Sequence, residues 1–343
     1  MEPAVAAYEA YHFHLLYDAV LSAVGFVVVL AVCRGVALHD PQLRVRLFAL
    51  VIGLPVLGEL IAYATYRVRP APHTSLGQAI FRFHEECGFC ALWDEPQILG
   101  SQPRWVLSAM LLVVLFSFAK NGLGTFILGR LTATYPPFPI DYHSGFRRRL
   151  LAVTSRCGAP VPRIAVSPHA VPLALSFGIH QPTIIISQGM LAEFSRAEME
   201  TVLAHELAHT IRRDNLWNWL LTLLRDALFF LPTSHLAWRQ MVVSQEEACD
   251  DLTITWTERP LDLARSLVKA WQYPRPRDLV LLAGVFLVTP FFRRASAVER
   301  RVERIVLTQR SAGAIPPPNC TPLVIGTVGL LLLLYALPIA AGS

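Results

Sequence analysis

Long apolar runs alternate with polar stretches along this chain, and the runs set its first-order architecture. Three lie early, at about 15–33, 47–66 and 105–128, and a fourth runs from Thr321 to about Ala341 without a charged residue. Each supplies the ~20 residues that cross a bilayer as a helix. Helices are expected because open strands would leave backbone groups unpaired in lipid. Asp18 and Lys120 stand near run ends, within reach of headgroups. Two shorter runs are not counted as crossings. Leu216–Leu231 contains Asn218, Arg225 and Asp226 and reads as a buried or membrane-surface helix; Leu279–Phe292 contains Pro290 and reads as a core or interfacial segment.

Between the third and fourth runs the pattern shortens. Arg163–Ser167, about Leu173–Phe177 and Thr183–Ser187 are β-branched or apolar stretches cut by Pro and Gly, which predicts short strands. Gly145–Cys157 reads as a basic amphipathic helix. Ser195-Arg-Ala-Glu198 is a capping box opening a helix to about Arg213, and a further helix is expected from near His235. The expected fold is an α-helical membrane protein of about four transmembrane helices with a mainly helical α+β domain carrying a small β-sheet. Its expected segments are 1–135 (three spans and an outer loop, 67–104), 136–312 (the domain) and 313–343 (the fourth span and a short tail).

Composition agrees. Of 343 residues 54% are apolar and 16% charged, against about 25% charged in a typical soluble domain. The formal charge of +5 is carried mostly by Arg, since Lys occurs only at Lys120 and Lys269. No nucleic-acid motif occurs, and no nucleic-acid partner is expected. Arg34, Arg44 and Arg46 follow the first run, and Arg147–Arg149, Arg212, Arg213, Arg293, Arg294, Arg300, Arg301 and Arg304 lie between the third and fourth. The positive-inside rule therefore places the N-terminus outside and the 136–312 domain in the cytoplasm of a multi-pass inner-membrane protein. The six cysteines are scattered, unlike a disulfide framework. Cys87 and Cys90, on the outer side, would ordinarily pair; a metal- or redox-sensing loop with His73 and His84 is the alternative.

The chemistry concentrates in His205-Glu-Leu-Ala-His209, inside the capped helix. Residues four apart share a helix face, so the two imidazoles can grip one ion, and Glu206 can reach a water beside it without ligating. Zinc suits such ligands and takes a third from the protein at catalytic sites. Glu246 on the following helix is the expected third ligand, with Glu247 as the competitor. Asp250, four residues on, is placed to orient a ligand histidine. One Zn2+ per chain is expected, with Glu206 as general base toward a protein or peptide substrate.

These residues resemble the integral-membrane gluzincin peptidases of the M56 (BlaR1/MecR1) type, related to the M48 group of HtpX and Ste24. The stretch Met199–Trp219 carries the resemblance, as do Glu246-Glu-Ala-Cys-Asp-Asp251, Pro162–Val166, Thr183–Leu191 and Arg301-Val-Glu-Arg-Ile305. It implies a zinc endopeptidase with His205, His209 and Glu246 as ligands, Glu206 catalytic, and Asp214 and Asp250 as supporting acids. For the oxyanion, Arg301 is the first expectation, followed by Arg304, His180 and His169. M56 receptors continue outside into a penicillin-binding sensor. This chain stops just after its fourth run, so none is expected here, and a separate sensor or a repressor joins the implied partners. Quality-control proteolysis and a non-catalytic scaffold are the alternative roles.

Overall fold

The computed structural model describes residues 19–20, 22–35, 40–66, 103–138, 148, 151–152, 154–155, 159–273, 295–310 and 326–329. The Cys87/Cys90 loop, the 279–292 run and most of the fourth apolar run lie outside the described residues. The described residues include α1 (Ser22–Gly35), α2 (Pro41–Tyr66), α3 (Pro103–Ala133), β1 (Arg163–Ser167), β2 (Ala174–Phe177), β3 (Thr183–Ser187), α4 (Gln188–Glu193), α5 (Arg196–Ile211), α6 (Asp214–Ala227), α7 (Pro232–Thr257), α8 (Pro260–Gln272) and α9 (Ala295–Arg310). The mainly helical architecture with a small sheet matches the expectation. The second and third apolar runs fall within α2 and α3. Among the described residues one helix, Leu111–Ala133, is long and apolar enough to cross a membrane.

The chain forms two compact units. One comprises Met1–Phe116, Leu223–Met241 and Pro318–Ser343. In it the Ser22 and Thr233 hydroxyls hydrogen-bond at 2.6 Å, and the Arg225 guanidinium lies 5.0 Å from the Trp238 ring centroid.

The other unit, Ser117–Thr222 with Val242–Pro317, holds the sheet and the candidate chemistry. Strand order is β1-β3-β2, with β1 parallel and β2 antiparallel to β3. Every residue of β3 is buried, which explains its unbroken Thr-Ile-Ile-Ile-Ser sequence: it is central and covered on both faces. Ile164, Val166, Ile184 and Ile186 pack with Met199, Leu203 and Leu207 of α5, whereas Ile185, Leu175 and Phe177 pack with Leu128 of α3. β2 is an edge strand, and α5 lies against it. Gly178 turns the chain out of β2 at φ +92°, a conformation that favours glycine. Gly189 admits the Ala170 carbonyl so closely that a Cβ would stand 1.8 Å from its oxygen.

Helix α5 begins as the sequence predicts. Ser195 Oγ accepts from the Glu198 N–H, and Glu198 accepts from the Ser195 N–H, satisfying two otherwise orphaned donors at a worth of about 1 kcal/mol. Lys269 of α8 reaches the Glu198 carboxylate at 3.3 Å, fastening α8 to the start of α5. At the end of α3, Arg163 donates to the carbonyls of Thr132, Ala133 and Tyr135, acceptors that a helix terminus leaves unpaired.

Candidate metal centre

The register of α5 brings His205 and His209 onto one face, with ring centroids 5.0 Å apart. Arg212 ends that helix, Arg213 takes a left-handed φ of 56°, and Asp214 opens α6. This one-residue reversal returns Asp214 beneath the helix it has just left, so that His209 Nδ1 and Asp214 Oδ2 are 2.9 Å apart. Arg212 Nε stands 3.2 Å from both Asp214 oxygens.

Helix α7 supplies the second half. Glu246 is buried, with Oε2 at 3.5 Å from His205 Nε2 and Oε1 at 3.7 Å from His209 Nε2. Asp250, one turn on and fully buried, places Oδ1 3.2 Å from His205 Nδ1, although the ring N–H is not aligned for a hydrogen bond. Glu247 points elsewhere, with its carboxylate 4.0 Å from Arg304 Nε. Of the two acids left open by the sequence, Glu246 is therefore the one at the imidazoles.

The donor set fits a zinc ion. One ligand atom each from His205, His209 and Glu246 lies within 4.8 Å of the others. Tetrahedral zinc with bonds of about 2.0–2.1 Å places its ligand atoms roughly 3.3 Å apart; here His205 Nε2 is 3.5 Å from Glu246 Oε2 and His209 Nε2 is 3.7 Å from Glu246 Oε1. Both Nε2 atoms face the common point, while both Nδ1 atoms face carboxylates. That division of the ring nitrogens is the one a metal-ligating histidine adopts.

Glu206 lies on the partly exposed side of α5. Among the described residues its carboxylate has no hydrogen-bond or ion-pair partner, unlike those of Glu198, Asp214, Glu246 and Asp250. Arg301, the first expectation for the oxyanion, is buried on α9. It donates from Nε and Nη2 to the two oxygens of Asp250 at 2.8 and 2.6 Å, and from Nη1 to Glu246 Oε2 at 2.8 Å. Arg304 donates from Nη2 to both oxygens of Asp251 at 2.7 and 2.6 Å. His180 is exposed and His169 half-buried.

Sequence reasoning missed the place of Cys249. It is buried, with its Sγ 3.3 Å from His209 Nδ1 and 3.5 Å from Asp214 Oδ2. Its position three residues after Glu246 was the available signal, since i and i+3 share a helix face. Burial pushes its thiol pKa well above the usual value, and Asp214 adds to this.

The electrostatics follow from the geometry. Burial alone would lower the His205 pKa, but Asp250 and Glu246 outweigh it and hold it at about 9. His209 is raised likewise: burial works against it, and Asp214 and Glu246 prevail. For Glu246 burial pushes upward, but Arg301 and the histidines bring the pKa down to about 2. Asp250 is held well below the carboxylate range, with Arg301 overcoming burial. The raised His205 value stabilises the metal-free fold fully below the unfolded pKa of roughly 6.5, and that contribution is lost as pH rises through about 9. A metal must displace the same proton. Zinc uptake at pH 7.5 should therefore release at least one proton and tighten as pH rises toward 9. Calorimetry in two buffers of different ionisation enthalpy checks this; identical heats in both would refute it.

Two histidines one turn apart on α5, a carboxylate from α7 and, among the described residues, an uncommitted glutamate beside the first histidine form a candidate metallopeptidase centre. Residues 148–305 match the family model of the BlaR1 peptidase M56. A protease HtpX homolog of Methanocaldococcus jannaschii is 24% identical over 202 residues, 45% of this chain and 71% of the relative. One from Gemmatimonas aurantiaca is 30% identical over 125 residues, 35% of this chain and 43% of the relative. The regulatory protein BlaR1 of Bacillus licheniformis is 33% identical over 139 residues, 40% of this chain and 22% of the relative. The crystal structure of S. mikatae Ste24p aligns with 89% of this chain and 99% of that one, at 11% identity and a TM-score of 0.32.

Proposed function

We propose that this chain is a membrane-embedded, zinc-dependent endopeptidase. The observation that carries the reading is the convergence of His205, His209 and Glu246 from two helices, with both outer ring nitrogens facing carboxylates. Bound there, zinc would supply Lewis acidity, polarising a peptide carbonyl and acidifying water. Glu206, with its carboxylate uncommitted, takes a proton from the attacking water and returns it to the leaving amine. Asp214 holds the Nδ1 proton of His209, and Asp250 is placed to do the same for His205, keeping both rings turned inward. β2, an edge strand among the described residues and lying against α5, offers its outer edge to an extended peptide.

The membrane reading draws on α3. Its exposed side chains include Leu111, Leu112, Leu115, Phe116, Phe118, Leu123 and Phe126, while Ser117, Asn121 and Thr132 are buried. Apolar outside and polar inside is the arrangement of a helix whose solvent is lipid. With the arginine distribution, this supports a multi-pass inner-membrane protein whose peptidase segment faces the cytoplasm. The match to BlaR1 favours regulated signalling proteolysis, with a repressor or separate sensor as partner; the matches to HtpX homologs favour quality control.

Purified protein in detergent should bind one zinc per chain, lose it in Glu246→Ala, and cleave an unstructured peptide only when loaded. Full metal retention by Glu246→Ala would remove the ligand assignment. A zinc-loaded wild type inert toward unstructured and membrane-protein substrates alike would favour the scaffold role.

A further inference from the structure

The metal helices α5 and α7 are joined by more than an ion. α8 packs on α5, and α9 packs on α8 through Leu263, Ala264, Leu267, Val298 and Ile305. α9 then returns to α7 by two arginines three residues apart, each taking one of two adjacent acids. Arg301 holds Asp250 by both oxygens and Glu246 by Oε2, while Arg304 holds Asp251. Arg301 touches a ligand, and the hydrogen bonds of Arg304 go to the Glu247 carbonyl and Asp251. A glutamate side chain has three rotatable bonds, and fixing it costs rotamer freedom. The 2.8 Å bond from Arg301 Nη1 settles the rotation of the Glu246 carboxylate, leaving Oε1 on the side of His209.

We propose that Arg301 is a positioning residue for the metal-ligating carboxylate, so that the seating of α9 sets the metal affinity of a site to which it gives no ligand. This rests on the ligand assignment above. Charge and geometry pull in opposite directions. A cation 2.8 Å from a ligand oxygen repels an incoming cation, so removing Arg301 for its charge alone would tighten binding. A planar fork that preorganises Glu246 and Asp250 strengthens binding, and a point-charge ammonium cannot reproduce it. Partners that orient metal ligands are typically worth about 10–100-fold in affinity.

The test is zinc affinity of the full-length protein, by competition with a chromophoric chelator, for wild type, Arg301→Lys, Arg301→Gln and Arg304→Gln. Visible absorption after loading with Co2+ and thermal unfolding of the metal-free forms complete it. Arg301→Lys, with its charge kept, should bind about 10–100-fold more weakly and show an altered Co2+ spectrum. Arg304→Gln should lower the unfolding midpoint yet leave affinity within about threefold and the spectrum unchanged. If the lysine variant does not fold, Arg301→Gln, which keeps a donor for the carboxylates, should show the same weakening. Wild-type affinity and spectrum in a folded Arg301 variant, or equal affinity losses in the Arg301 and Arg304 variants, would overturn the proposal. A wild type that binds no zinc would sink the ligand assignment itself.

Discussion

Replacing Glu206 by Gln should leave zinc content and fold unchanged while lowering peptide hydrolysis by about 10²–10⁴-fold, the usual contribution of a positioned general base. The substitution keeps shape and removes only the capacity to take a proton. Nothing structural should be lost, because the carboxylate has no hydrogen-bond or ion-pair partner among the described residues and the side chain is partly exposed. That lack of commitment separates it from Glu246 and Asp250, which lie buried against Arg301. Metal analysis and hydrolysis are measured on the same preparation. If Glu206→Gln cleaves at the wild-type rate with zinc bound, the proton acceptor is another group. If it loses zinc, Glu206 has a ligand role that the geometry does not show.

The elements that announced themselves in the sequence were those with local causes. The capping box at Ser195 and Glu198 fixes the start of α5, and spacing by four then determines that His205 and His209 share a face. The three strands were readable because each is an apolar run cut by turn residues, and β3 is apolar throughout because both its faces are covered. The choice of Glu246 over Glu247 was open, since both precede the same helix turn with the same chemistry. Helix rotation decides it, and the groups that meet the two residues come from α9: Arg301 bonds the Glu246 carboxylate and Arg304 the Glu247 carbonyl, 55 and 57 residues along the chain. For the same reason Arg301 is visible in sequence as one more basic residue in an Arg-rich helix. Its engagement with Glu246 and Asp250 spans 55 and 51 residues, a separation at which no periodicity speaks. The contact of Cys249 with Asp214 depends on the left-handed turn at Arg213, which no glycine marks.

The second large effect is on stability. Asp250 is fully buried and accepts two bonds from a buried guanidinium. Asp250→Ala takes two hydrogen bonds from Arg301, and breaking a buried pair from one side costs about 3–5 kcal/mol, a large share of the 5–15 kcal/mol that holds a typical domain. Metal-free Asp250→Ala should therefore unfold at far lower denaturant concentration than wild type. Deleting both charges, in Asp250→Leu with Arg301→Met, removes the stranded cation. Glu246 then keeps the two imidazoles at 3.5 and 3.7 Å, so the double variant should recover most of the lost stability. It should still bind zinc poorly, because the groups that orient His205 and Glu246 are gone. Denaturant unfolding of the metal-free proteins and chelator competition on the loaded ones separate the two effects. A loss below about 1 kcal/mol in Asp250→Ala, within the range of exposed pairs, would mean that the arginine and the aspartate are not locked together in the folded protein.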